Sequence, residues 1–342
     1  MSIETYDTMH SPQLSIAFQT DKPLAAYGPL AAQVEDYGFD GVSVYNDMLY
    51  QPAWLPLLEI ARATRRVRIG PAAVNPFTCH PINIAGHLAL VDEASRGRAH
   101  LGLARGSWLD FIGLEPRRPI TALREAFAAV RHLLRQDPAP LPGQVFPLAG
   151  GDSLRWSILR ADVPFLLGTW GPRTLRACLP WIDGVKLGGT ANPDVVPWMR
   201  SILAGYAPEA GKAAEEIELA VGAVCVVDED GDAARARARR EVALYLPVVA
   251  ELDPTLTVEP DRLAGLRAAA ARYDYETAAR YISDELLARF AFAGTPEEVA
   301  GQVLALGDAG ADRVELGTPH GLTPETGLRL LGERVLPIVR PR

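Results

Sequence analysis

Cysteine is scarce in this sequence, and the three present, Cys79, Cys178 and Cys225, are odd in number and far apart. No pair makes a CxxC, so neither a disulfide framework nor a thiol redox motif has support. Histidine is sparse too: six in 342 residues, none in HxH or HExxH spacing, so the expectation is no catalytic metal. No stretch approaches the ~20 apolar residues that cross a bilayer, which argues against a membrane span. Positive charge is also lacking. The net charge of −8 offers no basic face for sequence-independent nucleic-acid binding. GxSxG, GxxxxGK[ST] and a GxGxxG after the first strand are all missing, which removes the usual support for hydrolase, phosphoryl-transfer and dinucleotide-fold readings. The opening, MSIETYDTMHSPQ, has neither the basic start nor the apolar stretch of a secretion signal, so the expected location is the cytoplasm.

What the chain does have is repetition of a strand-and-helix pattern. Short runs rich in Val, Ile and Leu occur at 14–20, 41–46, 67–74, 99–106, 164–169, 184–190, 218–227 and 313–318. Such runs suit parallel strands buried on both faces. Helical periodicity fills the gaps, and TPEEVAGQVLALGDAGA opens with a capping-box pattern from Thr295 to Glu298. Eight such units predict an α/β fold, a (β/α)8 TIM barrel with insertions at the C-terminal rim. The expected organisation is one domain over 1–342, with a lid insertion at about 107–119 and an Ala/Arg/Glu-rich helical insertion at about 231–292.

In such a barrel the chemistry sits where strands end and loops begin. That rule selects Gln19, Thr20, Tyr45, Asn46, Asp47, Asn75, Gly106, Ser107, Trp108, Thr169, Trp170, Gly189, Thr190, Thr318, Pro319 and His320. Aromatic, amide and hydroxyl groups dominate this set and carboxylates are few, as in a site that binds a cofactor. The adjacent Cys79 and His80 point apart in any regular element, so they make a weak nucleophilic pair. The sharpest local signal is the strand at 164–169 running into Gly171-Pro172-Arg173-Thr174 and a helix. Pro172 suits the first helical turn, and free amides, Arg173 and the Thr174 hydroxyl suit a phosphate.

GFDGVSVYND, VRIGPAAVNPFTCHP, LVDEASRGRAHLGLARGS, GPRTL, DGVKLGG and GTPEEVAGQVLALGDAGADRVELG occur in that order. With them the chain resembles the bacterial luciferase-like superfamily, in its branch of coenzyme F420-dependent oxidoreductases typified by methylenetetrahydromethanopterin reductase. The resemblance implies a deazaflavin ring in the barrel mouth and a strand-three bulge with a non-proline cis peptide near Ala72 and Ala73. Joined to the strand-end rule, it assigns cofactor contacts to Asn46, Ala72, Ala73, Asn75, Gly106, Thr169, Trp170, Gly171, Pro172, Arg173, Thr174, Gly189 and Thr190. Relatives often pair as dimers through barrel helices, so a homodimer is implied as well.

The chain departs from relatives that carry Asp-His where it has Asn46-Asp47, and from those with an acid where it has Ser107. The catalytic candidates left at the mouth are Asp47, Ser107 and His320, the last being the group whose ordinary pKa lies near neutrality. The implied activity is hydride transfer between reduced F420 and a small imine, ketone or activated alkene. An FMN-dependent monooxygenase fed by a separate reductase is the alternative enzyme. A non-catalytic flavin-binding barrel is the third reading.

Overall fold

The apolar runs pair side by side as parallel strands in a computed structural model that describes residues 11–341. These strands are β1 (Gln13–Phe18), β2 (Gly41–Val44), β3 (Arg68–Pro71), β4 (Leu101–Ala104), β5 (Phe165–Gly168), β6 (Gly184–Gly188), β7 (Glu218–Val227), β8 (Ala291–Gly294) and β9 (Arg313–Gly321). Hydrogen-bonded neighbours run β3-β2-β1-β9-β7-β6-β5-β4, and parallel bridges from Ile69 to Ala99 and Val74 to Leu103 join the two ends. The result is a (β/α)8 barrel.

Helices α1 (Tyr27–Tyr37), α2 (Trp54–Ala63), α3 (Pro81–Ala94), α4 (Pro119–Leu134), α5 (Pro172–Cys178) and α6 (Val195–Tyr206) follow the first six strands. Five more, α7 (Gly231–Val242), α8 (Leu246–Leu252), α9 (Pro260–Ala270), α10 (Tyr275–Ala279) and α11 (Asp284–Ala288), lie between β7 and β8. The chain closes with α12 (Pro296–Asp308), α13 (Pro324–Leu330), a π turn and α14 (Leu336–Val339). Among the described residues, no helix is long and apolar enough to cross a membrane.

Local chemistry sets several of these boundaries. Thr295 and Glu298 form the reciprocal cap that starts α12, and α1 stops at Gly38, whose φ of +102° is open to glycine. Glu35 of α1 accepts the N–H groups of Arg65 (2.9 Å), Arg66 (2.5 Å) and Val67 (2.9 Å). Burial opposes that carboxylate's charge, but the three donors outweigh it and hold its pKa down. The clasp fixes the entry to β3, whose far end forms part of the site.

The short strand β8 was not foreseen. The helical stretch expected to about residue 292 stops at Ala288, and Ala291–Gly294 pairs with Val224–Val227 of β7. β6 reaches only from Glu218 to Gly222 along β7, which leaves the upper edge of the ten-residue strand bare. A four-residue apolar run covers that edge, and periodicity alone cannot tell so short a run from helix.

Two layers of side chains surround the barrel. Leu14, Ile16, Phe18, Val42 and Val44 are fully buried, and Phe165 meets Phe127 of α4 at 5.7 Å between ring centroids. A second apolar cluster joins Ala234, Ala238, Leu246 and Phe290 of the inserted stretch to Trp170 and Tyr245. The inserted helices are thereby packed onto the strand ends.

Candidate active site

Alternate residues on each strand point into the barrel, and in this chain many of them are charged. Glu218 accepts from Arg68 (2.9 Å) and Arg313 (2.6 Å). Higher up, Glu315 accepts from Ser43 (2.6 Å), pairs with Lys186, and lies 3.5 Å from Arg313. Burial would raise both carboxyl pKa values. Lys186 and Arg313 beside Glu315, and Arg313 and Arg68 beside Glu218, bring each to about 2. Burial pulls Lys186 down while Glu315 supports its charge. His100 sits at this level too, burial and the charges of Arg313 and Arg68 lowering it to about 3. Its Nε2 is the buried side-chain polar atom without a hydrogen-bond partner among the described residues.

Above this charged layer the inward positions become small. Strands β4, β5, β6 and β9 present Ala104, Gly168, Gly188 and Gly317 in turn, and a methyl group built on Gly188 meets nothing within 4 Å. The bond between Ala72 and Ala73, just past β3, is cis, at the place the sequence resemblance implied. Of this row Gly188 faces open space, whereas Gly317 is closed off by Tyr45 and the Ala223 carbonyl and Gly168 by Ala104.

Polar groups stand around that space. Gln19 donates to Asp47 at 2.8 Å and takes the Thr20 amide on its own oxygen at 2.8 Å, so Asp47 is held in a fixed orientation at the end of β2. The Asn75 side-chain oxygen accepts from the amides of Phe77 (3.0 Å) and Thr78 (2.9 Å) and from the Thr78 hydroxyl (3.1 Å). Its amide nitrogen packs against Gly106, where a φ of +86° and this close approach exclude a side chain. Ser107 is exposed beside it, ahead of a turn that exposes Trp108, Phe111 and Ile112. At β5, the Thr169 hydroxyl accepts the Gly171 amide at 3.1 Å, Pro172 starts α5, and no side chain caps that helix. Trp170 donates to the Gly188 carbonyl at 3.1 Å and stacks on Trp198.

Several expected contacts are drawn elsewhere. Thr190 is fully buried, donating to the Arg289 carbonyl at 3.2 Å and accepting from the Asn192 amide at 3.1 Å, which spends its hydroxyl hydrogen inside the protein. Gly189 lies against Val249 and Tyr245 of the inserted stretch. The Asn46 oxygen takes the Ala53 amide at 3.1 Å and caps the approach to α2. The Arg173 side chain lines an open groove of about 360 Å³ with Arg176, Tyr206 and Glu209, toward the C-terminal ends of α5 and α6.

His320 needs the clearest correction. It is 1% exposed, bonds the Ala17 carbonyl at 3.1 Å and meets Phe18 edge to face. Burial and the nearby Lys22 charge lower its pKa to about 4, and its ring is spent on packing and on the Ala17 carbonyl. Tyr45, named by the strand-end rule but given no role, lies in the barrel interior together with Lys186 and Gly188. A signal for the last two was present: a lysine inside an otherwise apolar strand, followed two residues later by glycine.

A family model described as luciferase-like monooxygenase matches residues 6–313. The chain is 26% identical over 327 residues to the 5,10-methylenetetrahydromethanopterin reductase of Methanolobus tindarius, covering 94% of this chain and 98% of that one. It is 28% identical to the enzyme of the same name from Archaeoglobus fulgidus, with coverages of 89% and 92%. The solved structure of the coenzyme F420-dependent tetrahydromethanopterin reductase from Methanopyrus kandleri superposes with a TM-score of 0.87 at 25% identity, covering 96% of this chain and all of that one.

Proposed function

The chain belongs to the luciferase-like monooxygenase family, and from that premise we propose that it is a coenzyme F420-dependent oxidoreductase passing a hydride between reduced deazaflavin and a small imine, ketone or activated alkene. The observation that carries this reading is the open space at Gly188, at the C-terminal end of β6, where no atom lies within 4 Å of an added methyl group. A planar tricycle fits where side chains are withheld, and full-length kinship to F420-linked reductases supports the deazaflavin over other flat rings. The cofactor brings the hydride chemistry.

The chain's own residues bind, orient and exclude water. Ala72 and Ala73 would back the ring, Asn75 would offer its amide nitrogen, and the amides of Arg173 and Thr174 with the Thr174 hydroxyl would receive the phosphate. Asp47, held by Gln19, and Ser107 at the rim are the groups placed to exchange a proton with substrate. Segment 107–119, with Trp108, Phe111 and Ile112 exposed, covers the substrate.

Turnover with reduced F420 and with reduced FMN, with oxygen uptake recorded, tests the reading. Substrate reduction by F420 without oxygen uptake is expected. Oxygen-dependent turnover with FMN alone points to the monooxygenase, and tight binding without turnover across a broad carbonyl and imine screen points to a binding barrel.

The same proposal includes a homodimer. Helix α3, PINIAGHLALVDEA, exposes apolar side chains beside Asn83, His87 and Glu93 on its outer face. Ile82 (45% exposed) and Leu90 (51% exposed) lie two turns apart on its outer face, with Leu55, Trp156 and Leu159 also exposed. The pair Ile82→Glu and Leu90→Glu is expected to turn a dimer into a folded monomer in sedimentation. A wild-type protein that sediments as a monomer at micromolar concentration contradicts it.

A further inference from the structure

We propose that Tyr45 is the ligand-binding donor at the floor of the mouth, giving its phenolic hydrogen to an acceptor on the polar edge of the bound heterocycle. This rests on the F420 reading above and gives a role to a residue that the strand-end rule named without one.

Position comes first. Ser43 points inward to Glu315, and the Tyr45 amide continues the ladder by donating to the Phe18 carbonyl at 2.9 Å, so alternation turns Tyr45 inward one step above Ser43. The side chain then reaches past β1 to β9, where a methyl group on Gly317 would collide with its hydroxyl. From below, the Lys186 ammonium lies 5.9 Å from the ring centroid, itself paired with Glu315. The phenol is thus held directly above the charged layer, with its hydroxyl against β9.

Its hydroxyl is unusual in what it lacks. The ring is packed on three strands, yet no protein acceptor takes the hydroxyl among the described residues, and His100 alone supplies a sealed, partnerless polar side-chain atom there. The Tyr45 oxygen therefore opens onto the mouth. Burial, then the nearby carboxylates of Glu315 and Asp47, push its pKa upward, which keeps the proton in place at any working pH. A fixed, protonated, unspent donor facing a cavity is matched by a ligand carbonyl or ring nitrogen.

The test is titration of the purified full chain with oxidised F420, followed by fluorescence and visible absorbance, for wild type, Tyr45→Phe and Tyr45→Met. Both variants are expected to bind about 3- to 10-fold more weakly, the usual worth of one neutral hydrogen bond. Both should also show less of the shift that the wild type imposes on the visible band. Melting temperatures should hold, since no protein partner loses a bond. Equal affinity and an equal spectrum for Tyr45→Phe overturn the inference alone, as does a loss confined to Tyr45→Met, which would make the ring a filler. Wild-type protein that fails to bind F420 overturns the parent reading and this one together.

Discussion

Gly188→Leu is expected to abolish F420 binding, weakening it by about 100-fold or more, while the protein stays folded. The backbone at Gly188 is pinned by the Trp170 indole, which donates to its carbonyl, and the residue lies in β6 without a positive φ. A side chain there is free to form, because the first added carbon meets no atom within 4 Å. Glycine inside a strand ordinarily costs about 0.5–1 kcal/mol relative to alanine, so the empty protein has nothing to lose by the change. Only a ligand that needs the space is penalised. Calorimetric or fluorescence titration beside a thermal melt separates the two effects. Near wild-type affinity in a folded Gly188→Leu protein would remove the ring from this part of the mouth.

The second large effect concerns stability. Glu315→Ala strands the Lys186 ammonium inside the barrel, and removing one partner of a buried pair costs about 3–5 kcal/mol. Replacing both, with Lys186→Met and Glu315→Gln, is expected to recover most of that loss, because no uncompensated charge remains. Chemical unfolding of Glu315→Ala, Glu315→Gln, Lys186→Met and the double closes the cycle. A double variant as unstable as Glu315→Ala would show that the carboxylate is required for something other than its partner.

The same groups set the acid limb. His100 and His320 are held near 3 and 4 in the folded chain against an ordinary 6.5. The unfolded chain therefore binds their protons first, and stability is full above pH 6.5 and falls as pH drops toward 4. Glu315 and Glu218 are held near 2 against 4.5, so their contribution is present above pH 4.5 and lost as pH falls toward 2. Since the two carboxylates share Arg313, their contributions do not simply add. Unfolding free energies from pH 7 to pH 3 should show a gentle decline and then a steeper one. Flat stability from pH 7 to pH 4 would show that the two histidines take up protons without cost.

What could be read directly from the residues was local. Eight apolar runs, the Thr295–Glu298 cap and the Gly171-Pro172 helix start depend on neighbours a few positions away, and each reappears in the structure with small shifts at the ends. The place of the cis bond was legible through the resemblance carried by VRIGPAAVNP. A strand's end can be named from the chain because hydrophobic runs stop there.

Tertiary structure alone decided where the side chains at those ends are spent. Thr190 and His320 read as mouth residues, yet Arg289, 99 positions on, and Ala17, 303 positions back, offer carbonyls that take their bonds. Lys186 and Glu315 are separated by 129 positions and meet because parallel register puts both on the inner wall. β8 exists because β7 outruns β6, a fact about two strand lengths and not about the AFAG run itself. Tyr45 shows the division most plainly: its place at a strand end follows from the sequence, whereas its unspent hydroxyl depends on Gly317 of β9, seven strands later in the chain and two strands along around the barrel. Backbone propensity acts between near neighbours, but hydrogen-bond satisfaction is an account drawn up over the whole fold, and the site is made of the groups left over.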